Sequence, residues 1–203
     1  MKTVEAFNLE ADLQFRSDPQ GGVVSEDMQY AFSLVNPNPL IIDVGCGYGR
    51  VIPHLRQIGP FRYIGIDPSI GMLGIGRREY PNIDFREMNL YELPQRFPES
   101  HFDIAIAITT MAYVSSVRMR DALTSIRKVL RPGGIGYFTF FADTETMYLA
   151  KNQPVGGNYK GPMTRLTGWK FERIAPKLFV TGFKTDQICV SDLGPYTVIA
   201  KAV

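Results

Sequence analysis

The strongest constraint on the fold lies between residues 39 and 50, where the apolar run Pro39-Leu40-Ile41-Ile42 passes through Asp43 and Val44 into three glycines at alternate positions, Gly45, Gly47 and Gly49. A short continuous apolar run reads as a strand buried on both faces, and a glycine turn straight after it exposes backbone to a ligand. A dinucleotide loop, G-x-G-x-x-G, needs its third glycine at position 50, which is Arg50. The loop fits an α/β plan but not the usual dinucleotide spacing.

The rest of the chain repeats strand and helix signals in alternation. A helix is expected at about 48 to 58, with Val51, Ile52, Leu55 and Ile58 on one side. Strand-like runs follow at FRYIGIDP, IDFREMNL, FDIAIAIT and IGYFTFFA, separated by helical patterns at IGMLGIGRREY and RMRDALTSIRKVL. Arg131-Pro132-Gly133-Gly134 stops the last of these helices. Such alternation predicts a mostly parallel sheet with helices on both faces. TDQICVSD and YTVIAKAV are separated only by Leu193-Gly194-Pro195, too short for a parallel crossover, so they form a hairpin and the last strand runs antiparallel. Residues 143 to 170 show no clear periodicity and follow the carboxyl end of the fifth strand, the edge where open α/β sheets bind ligands.

Composition narrows the class of function. At 203 residues the chain has the size of one α/β domain, and hydrophobic residues at 45% with charged residues at 21% exclude a disordered or fibrous class. A net charge of +2 gives no polyanion-binding signature, which counts against nucleic acid as a partner. Two cysteines, Cys46 and Cys189, provide neither a disulfide framework nor metal-ligand spacing. The opening MKTVEAFNLE does not read as a signal peptide, and the longest nearly apolar run, Ile104 to Val114, is too short to span a bilayer. A cytoplasmic protein without membrane partners is expected.

Two carboxylates bracket the loop. Asp67, at the end of the second strand, suits the hydroxyls of any ribose. Asp43 discriminates more, because a carboxylate beside a loop cradling a pyrophosphate sets negative charge against negative charge. A ligand with an ammonium and a sulfonium meets no such repulsion, and S-adenosylmethionine carries both.

The sequence resembles the class I S-adenosylmethionine-dependent methyltransferases, type 11-like, over about residues 40 to 140. The resemblance rests on D-V-G-C-G-Y-G at 43 to 49, G-I-D-P-S at 65 to 69, the L-x-x-L-P-like stretch Leu90 to Pro94, F-D-I-A at 102 to 105 and L-R-P-G-G at 130 to 134. It implies a single domain over 1–203, with residues 1–36 as a helical cap or lid and 37–203 as a Rossmann-like core. The family's core is a seven-stranded sheet, mostly parallel, with an antiparallel C-terminal strand. It also implies that Gly45, Gly47 and Gly49 admit the methionine part of the cofactor, Asp43 orients the loop and the ammonium, and Asp67 holds the ribose. Ile66, Pro68 and Met72 would lie near the adenine, with Asn89, where the family often has Asp, as partner of its amino group; Leu90 is expected to bind the cofactor, and Ala107 with Ile108 would line its pocket. Gly71, Gly74 and Gly76 in one predicted helix suggest either close packing or a weak helix.

The acceptor is less marked. ITTMAYV follows the fourth strand in place of the Asn-Pro-Pro-Tyr type signature of amide and base nitrogen methylation, and Ala142-Asp143-Thr144 follows the fifth in place of a metal-binding set. The reading is methyl transfer to an oxygen or nitrogen of a small molecule, with no metal. Tyr113, Asp143 and Tyr148 are the foremost pocket candidates, with Glu145, Tyr159 and Trp169 behind them. A non-catalytic cofactor-binding member of the fold and an NAD-dependent oxidoreductase are the alternatives. A Gly21-Gly22 pair would hinge the amino-terminal lid.

Overall fold

A computed structural model describes residues 4, 5, 7, 8, 11, 25–141, 170–190 and 195–203. Helix α1 (Ser25–Ser33) leads into β1 (Leu40–Val44), followed by α2 (Ile52–Ile58), β2 (Arg62–Asp67), α3 (Ile70–Glu79) and β3 (Asp84–Glu87). A helical turn at Leu90–Glu92 and α4 (Leu93–Arg96) precede β4 (Phe102–Ala107), and a second turn, Thr110–Tyr113, precedes α5 (Met119–Val129). The chain then runs through β5 (Leu130–Phe141), α6 (Phe171–Val180), β6 (Phe183–Val190) and β7 (Pro195–Ala202). No helix among the described residues is long and apolar enough to cross a membrane.

The seven strands form one sheet in the order β3-β2-β1-β4-β5-β7-β6. β1 to β5 are mutually parallel, and β7 lies antiparallel between β5 and β6. All six residues of β4 are buried, which is why its sequence is an unbroken apolar run around Asp103. Alternate strand residues divide the core into two layers. Ile42, Val44, Ala105, Ala107, Phe138 and Phe140 pack with α5 and α6, and Ile41, Ile104, Ile106, Ile135 and Tyr137 pack with α1 and α2.

Several expected boundaries move for local reasons. α2 starts at Ile52 rather than near 48, because Gly49 at φ +83° belongs to a turn in which its N–H donates to the Cys46 carbonyl. β3 stops at Glu87, since Asn89 accepts from Tyr91 N and Glu92 reciprocates on Asn89 N, a capping box that starts the next helical turn. Arg131 to Gly134 end α5 but lie inside β5, where the register against β4 shifts and Gly133 takes φ +78°. The β6–β7 pairing matches the expected hairpin geometry; Leu193 and Gly194 lie outside the described residues, as does the Gly21-Gly22 pair.

Candidate functional site

β1 stands between β2 and β4 at the point where the strand order reverses, so the crevice beyond the carboxyl ends of β1 and β4 is the topological switch point. The loop leaving β1 is fastened to β2 on one side. Gly45 N and Cys46 N both donate to the Ile66 carbonyl, at 2.8 and 3.0 Å. Gly47 N donates to Asp67 Oδ2 at 2.9 Å, and Ser69 N to Asp67 Oδ1 at 2.8 Å, so one carboxylate fixes the tip of the loop and the start of α3.

The three glycines serve different purposes. At Gly45, φ +71°, a Cβ would lie 2.3 Å from Thr110 Oγ1, and at Gly49 it would strike Ile52 and Phe85. At Gly47, φ +57°, the missing side chain meets no described residue within 4 Å. Gly45 and Gly49 thus make room for neighbouring side chains of the protein.

Asp43 lies at the base of the loop. It is 1% exposed and accepts a 2.6 Å bond from the Tyr63 hydroxyl beneath the loop. Burial raises its carboxyl to about 7, against the opposing pull of the Tyr63 bond and of Arg50. Its bond with Tyr63 orders the layer under the loop. Asp67 is half-buried, and burial raises its pKa while the Ser69 and Gly47 N–H bonds lower it. Each of its oxygens takes one backbone bond and keeps a second acceptor position.

Arg50 reaches across the crevice. Its Nη2 donates to the Ile108 carbonyl at 3.0 Å and to the Thr109 hydroxyl at the end of β4. Thr109 adopts φ +61°, ψ −15°, an outlier for a β-branched residue that costs on the order of 1–3 kcal/mol. It is held there by Arg50, by its own hydroxyl on the Ile108 carbonyl at 2.6 Å, and by Thr139 Oγ1, which accepts from Thr109 N at 2.7 Å. Thr110 Oγ1 then donates to the Val44 carbonyl at 2.8 Å. The sequence hints at Arg50 by breaking the dinucleotide pattern; nothing in it announces the Thr109 conformation.

The other expected cofactor residues fall along the same edge. Pro68 and Leu90 are half-buried, Met72 packs with Ala11, Tyr48 and Ile75, and Ala107 closes β4. Asn89 is exposed, and its side-chain oxygen already caps Tyr91 N at 3.2 Å. Phe7, Asn8 and Ala11 lie against this region. Asn8 Oδ1 accepts from Ser69 Oγ and Gly71 N at 2.8 and 3.0 Å, and Phe7 packs edge-on against Tyr113 with centroids 5.4 Å apart. A Cβ at Gly71 would meet the Asn8 carbonyl at 2.8 Å and one at Gly76 would meet Phe85 at 3.0 Å, whereas one at Gly74 would meet no described residue within 4 Å. Close packing explains two of the three helix glycines. Tyr113, 36% exposed, is at the mouth; Asp143, Glu145, Tyr148, Tyr159 and Trp169 lie outside the described residues.

Comparison with known proteins agrees with this geometry. Residues 41–134, from β1 into β5, match the family model described as a methyltransferase domain. The chain is 36% identical over 123 residues to the probable methyltransferase ltbC of Aspergillus luteorubrus, covering 54% of this chain and 43% of that one. Its fold is similar to that of an S-adenosylmethionine-dependent methyltransferase from Methanosarcina mazei, with a TM-score of 0.71 at 17% identity over 86% of this chain and 97% of the other. It is also similar to Burkholderia thailandensis 1,6-didemethyltoxoflavin-N1-methyltransferase, solved with 1,6-didemethyltoxoflavin and S-adenosylhomocysteine, with a TM-score of 0.65 at 18% identity over 88% and 76%. The chain spans between 37% and 54% of the length of the curated relatives it matches first. The matched segment lies over the strands and loops that frame the crevice, so residues 41–134 are similar to a methyltransferase domain and the chain has the fold of solved S-adenosylmethionine-dependent methyltransferases.

Proposed function

We propose that this chain binds S-adenosylmethionine in the crevice between β1 and β4 and transfers its methyl group to an oxygen or nitrogen of a small molecule. The observation that carries the reading is the loop tip: no described residue comes within 4 Å of where a Gly47 side chain would stand, while its N–H is fixed to Asp67 at 2.9 Å. Backbone is thus offered to a ligand within reach of an acid suited to ribose hydroxyls. The bound cofactor supplies a methyl carbon already activated by its sulfonium, so the chain's task is to bind, orient and shield. Asp67 would take the ribose hydroxyls through its remaining acceptor positions. Pro68, Met72, Asn89, Leu90 and Ala107 would frame the adenine, and Gly47 would lie against the methionine part.

The amino-terminal segment would cover the cofactor, an assignment supported by the Asn8 bonds to Ser69 and Gly71 and by the Phe7–Tyr113 contact. Tyr113 would then face the acceptor from the β4 side, with Asp143 and Tyr148 proposed to complete that pocket. A small-molecule acceptor is consistent with the Burkholderia structure, whose second ligand is small.

Isothermal titration with S-adenosylmethionine, S-adenosylhomocysteine and NAD tests the cofactor; heat with NAD alone would reject the reading. Release of S-adenosylhomocysteine upon offering phenols, amines and carboxylates tests transfer. Asp67→Ala is expected to weaken cofactor binding about 10- to 100-fold, the value of one or two hydrogen bonds to a charged group. Asp67→Asn keeps an acceptor for the loop and should lose less. Unchanged affinity in both variants would remove Asp67 from the ribose site.

A further inference from the structure

Arg50 is the residue that breaks the dinucleotide spacing, and its side chain joins two elements that no strand pairing brings together at that level. It starts on the loop after β1 and ends on the carbonyl of Ile108 and the hydroxyl of Thr109, just past the end of β4. Thr109 sits in a left-handed conformation that a β-branched residue enters only when its surroundings impose it. From there the chain returns: Thr110 donates to the Val44 carbonyl and fills the space that a side chain at Gly45 would need. The contacts form a closed circuit, from the glycine loop through Arg50 to the β4 turn and through Thr110 back to the glycine loop.

We propose that Arg50 is a positioning residue that spans the crevice and holds the Thr109–Thr110 turn in its left-handed form, so that Thr110 stays seated on Gly45 and the loop keeps the shape the cofactor needs. The role rests on the methyltransferase reading for its ligand, but the turn it controls is measurable without one. Arg50 acts through Thr109, so its importance depends on what residue 109 is. Glycine enters the left-handed region without strain and needs no clamp.

The test is a cycle of four proteins, wild type, Arg50→Ala, Thr109→Gly and the double variant, each titrated with S-adenosylmethionine and S-adenosylhomocysteine. Arg50→Ala should weaken both ligands about tenfold or more, Thr109→Gly should stay within about threefold of wild type, and the double variant within about threefold of Thr109→Gly, a coupling of the size that contacting residues show. Equal weakening by Arg50→Ala in both backgrounds, or no weakening in either, overturns the proposal. Amide hydrogen exchange without ligand provides the independent readout. Residues 109–112 should exchange faster in Arg50→Ala, with β1 amides unchanged; unchanged exchange at the turn overturns the positioning role whatever the ligands do. Should Arg50→Ala fail to fold, Arg50→Met is measured in the same way with the same outcomes, because it keeps the apolar stem and removes the donor nitrogen that makes both bonds. Wild type that gives no heat with either ligand rejects the methyltransferase reading itself, while the exchange result still decides the role of Arg50.

Discussion

Asp43 is a buried acid in a layer of apolar side chains, and that placement makes the stability of the fold depend on pH. In the unfolded chain its proton leaves near the ordinary 3.8; in the folded chain burial holds it to about 7. Between those values the folded state binds the extra proton, so stability is highest below the unfolded value and falls as pH rises toward 7, by up to about 1.4 kcal/mol per pH unit. Asp43→Asn keeps an acceptor for Tyr63 and removes the charge. Its melting temperature is expected to gain on wild type from pH 5 to pH 8 and to match it near pH 4; parallel pH profiles would show that Asp43 is not the source. The glycines allow an equally local comparison. Gly45→Ala should destabilise by about 1–3 kcal/mol more than Gly47→Ala, because only the former strikes a side chain, and Thr110→Ala should recover part of the difference. Denaturant melts of the three single variants and the Gly45→Ala/Thr110→Ala pair decide this.

At the scale of elements, what the sequence displays and what it hides have identifiable causes. β1 and β4 are legible because each is a largely apolar run followed by a turn, and β7 follows from a connection too short for any crossover; β3, Asp84–Glu87, buries only Phe85 and is the faintest. α6 carries no clear signal, because Pro176 stands inside it and Ile174 and Leu178 are its only buried residues. In the site, the glycine loop and Asp67 are written in the sequence as spacing. The reach of Arg50 and the backbone of Thr109 are not, since they depend on the register that sets the end of β4 beside β1. A second element-level feature is Arg127, at the end of α5, which donates to the carbonyls of Gly182, Leu130 and Val203 at 3.0, 3.1 and 2.6 Å. Arg127→Met should cost about 2–4 kcal/mol in chemical denaturation, since the bonds to the Gly182 and Leu130 carbonyls are partly buried and lose a charged donor. In the sheet itself, Ala105, Gly136 and Ala200 align across β4, β5 and β7. A Cβ at Gly136 would come within 2.4 Å of the Phe138 ring, so this row of small residues is what lets Phe138 and Phe183 meet edge-on at 5.4 Å.

For the whole molecule, ligand binding and folding share one account. The proposed crevice exists only when β1, β2 and β4 are assembled, so S-adenosylmethionine should bind the native state alone. At about a hundred times its dissociation constant it should stabilise by about 2.7 kcal/mol, raising the melting temperature of a chain this size by roughly 5–10 °C, while NAD leaves it unchanged. Differential scanning fluorimetry with both ligands checks the prediction.

The interior position of β7 has a consequence for the order in which the molecule is made. During synthesis β6 leaves the ribosome before the one strand it pairs with, and β5 has by then waited longer for the same neighbour. Two open edges therefore coexist in the nascent chain until β7 slides between them and closes both at once. That interval is when a nascent chain of this topology is most exposed to mispairing with its neighbours on the same message.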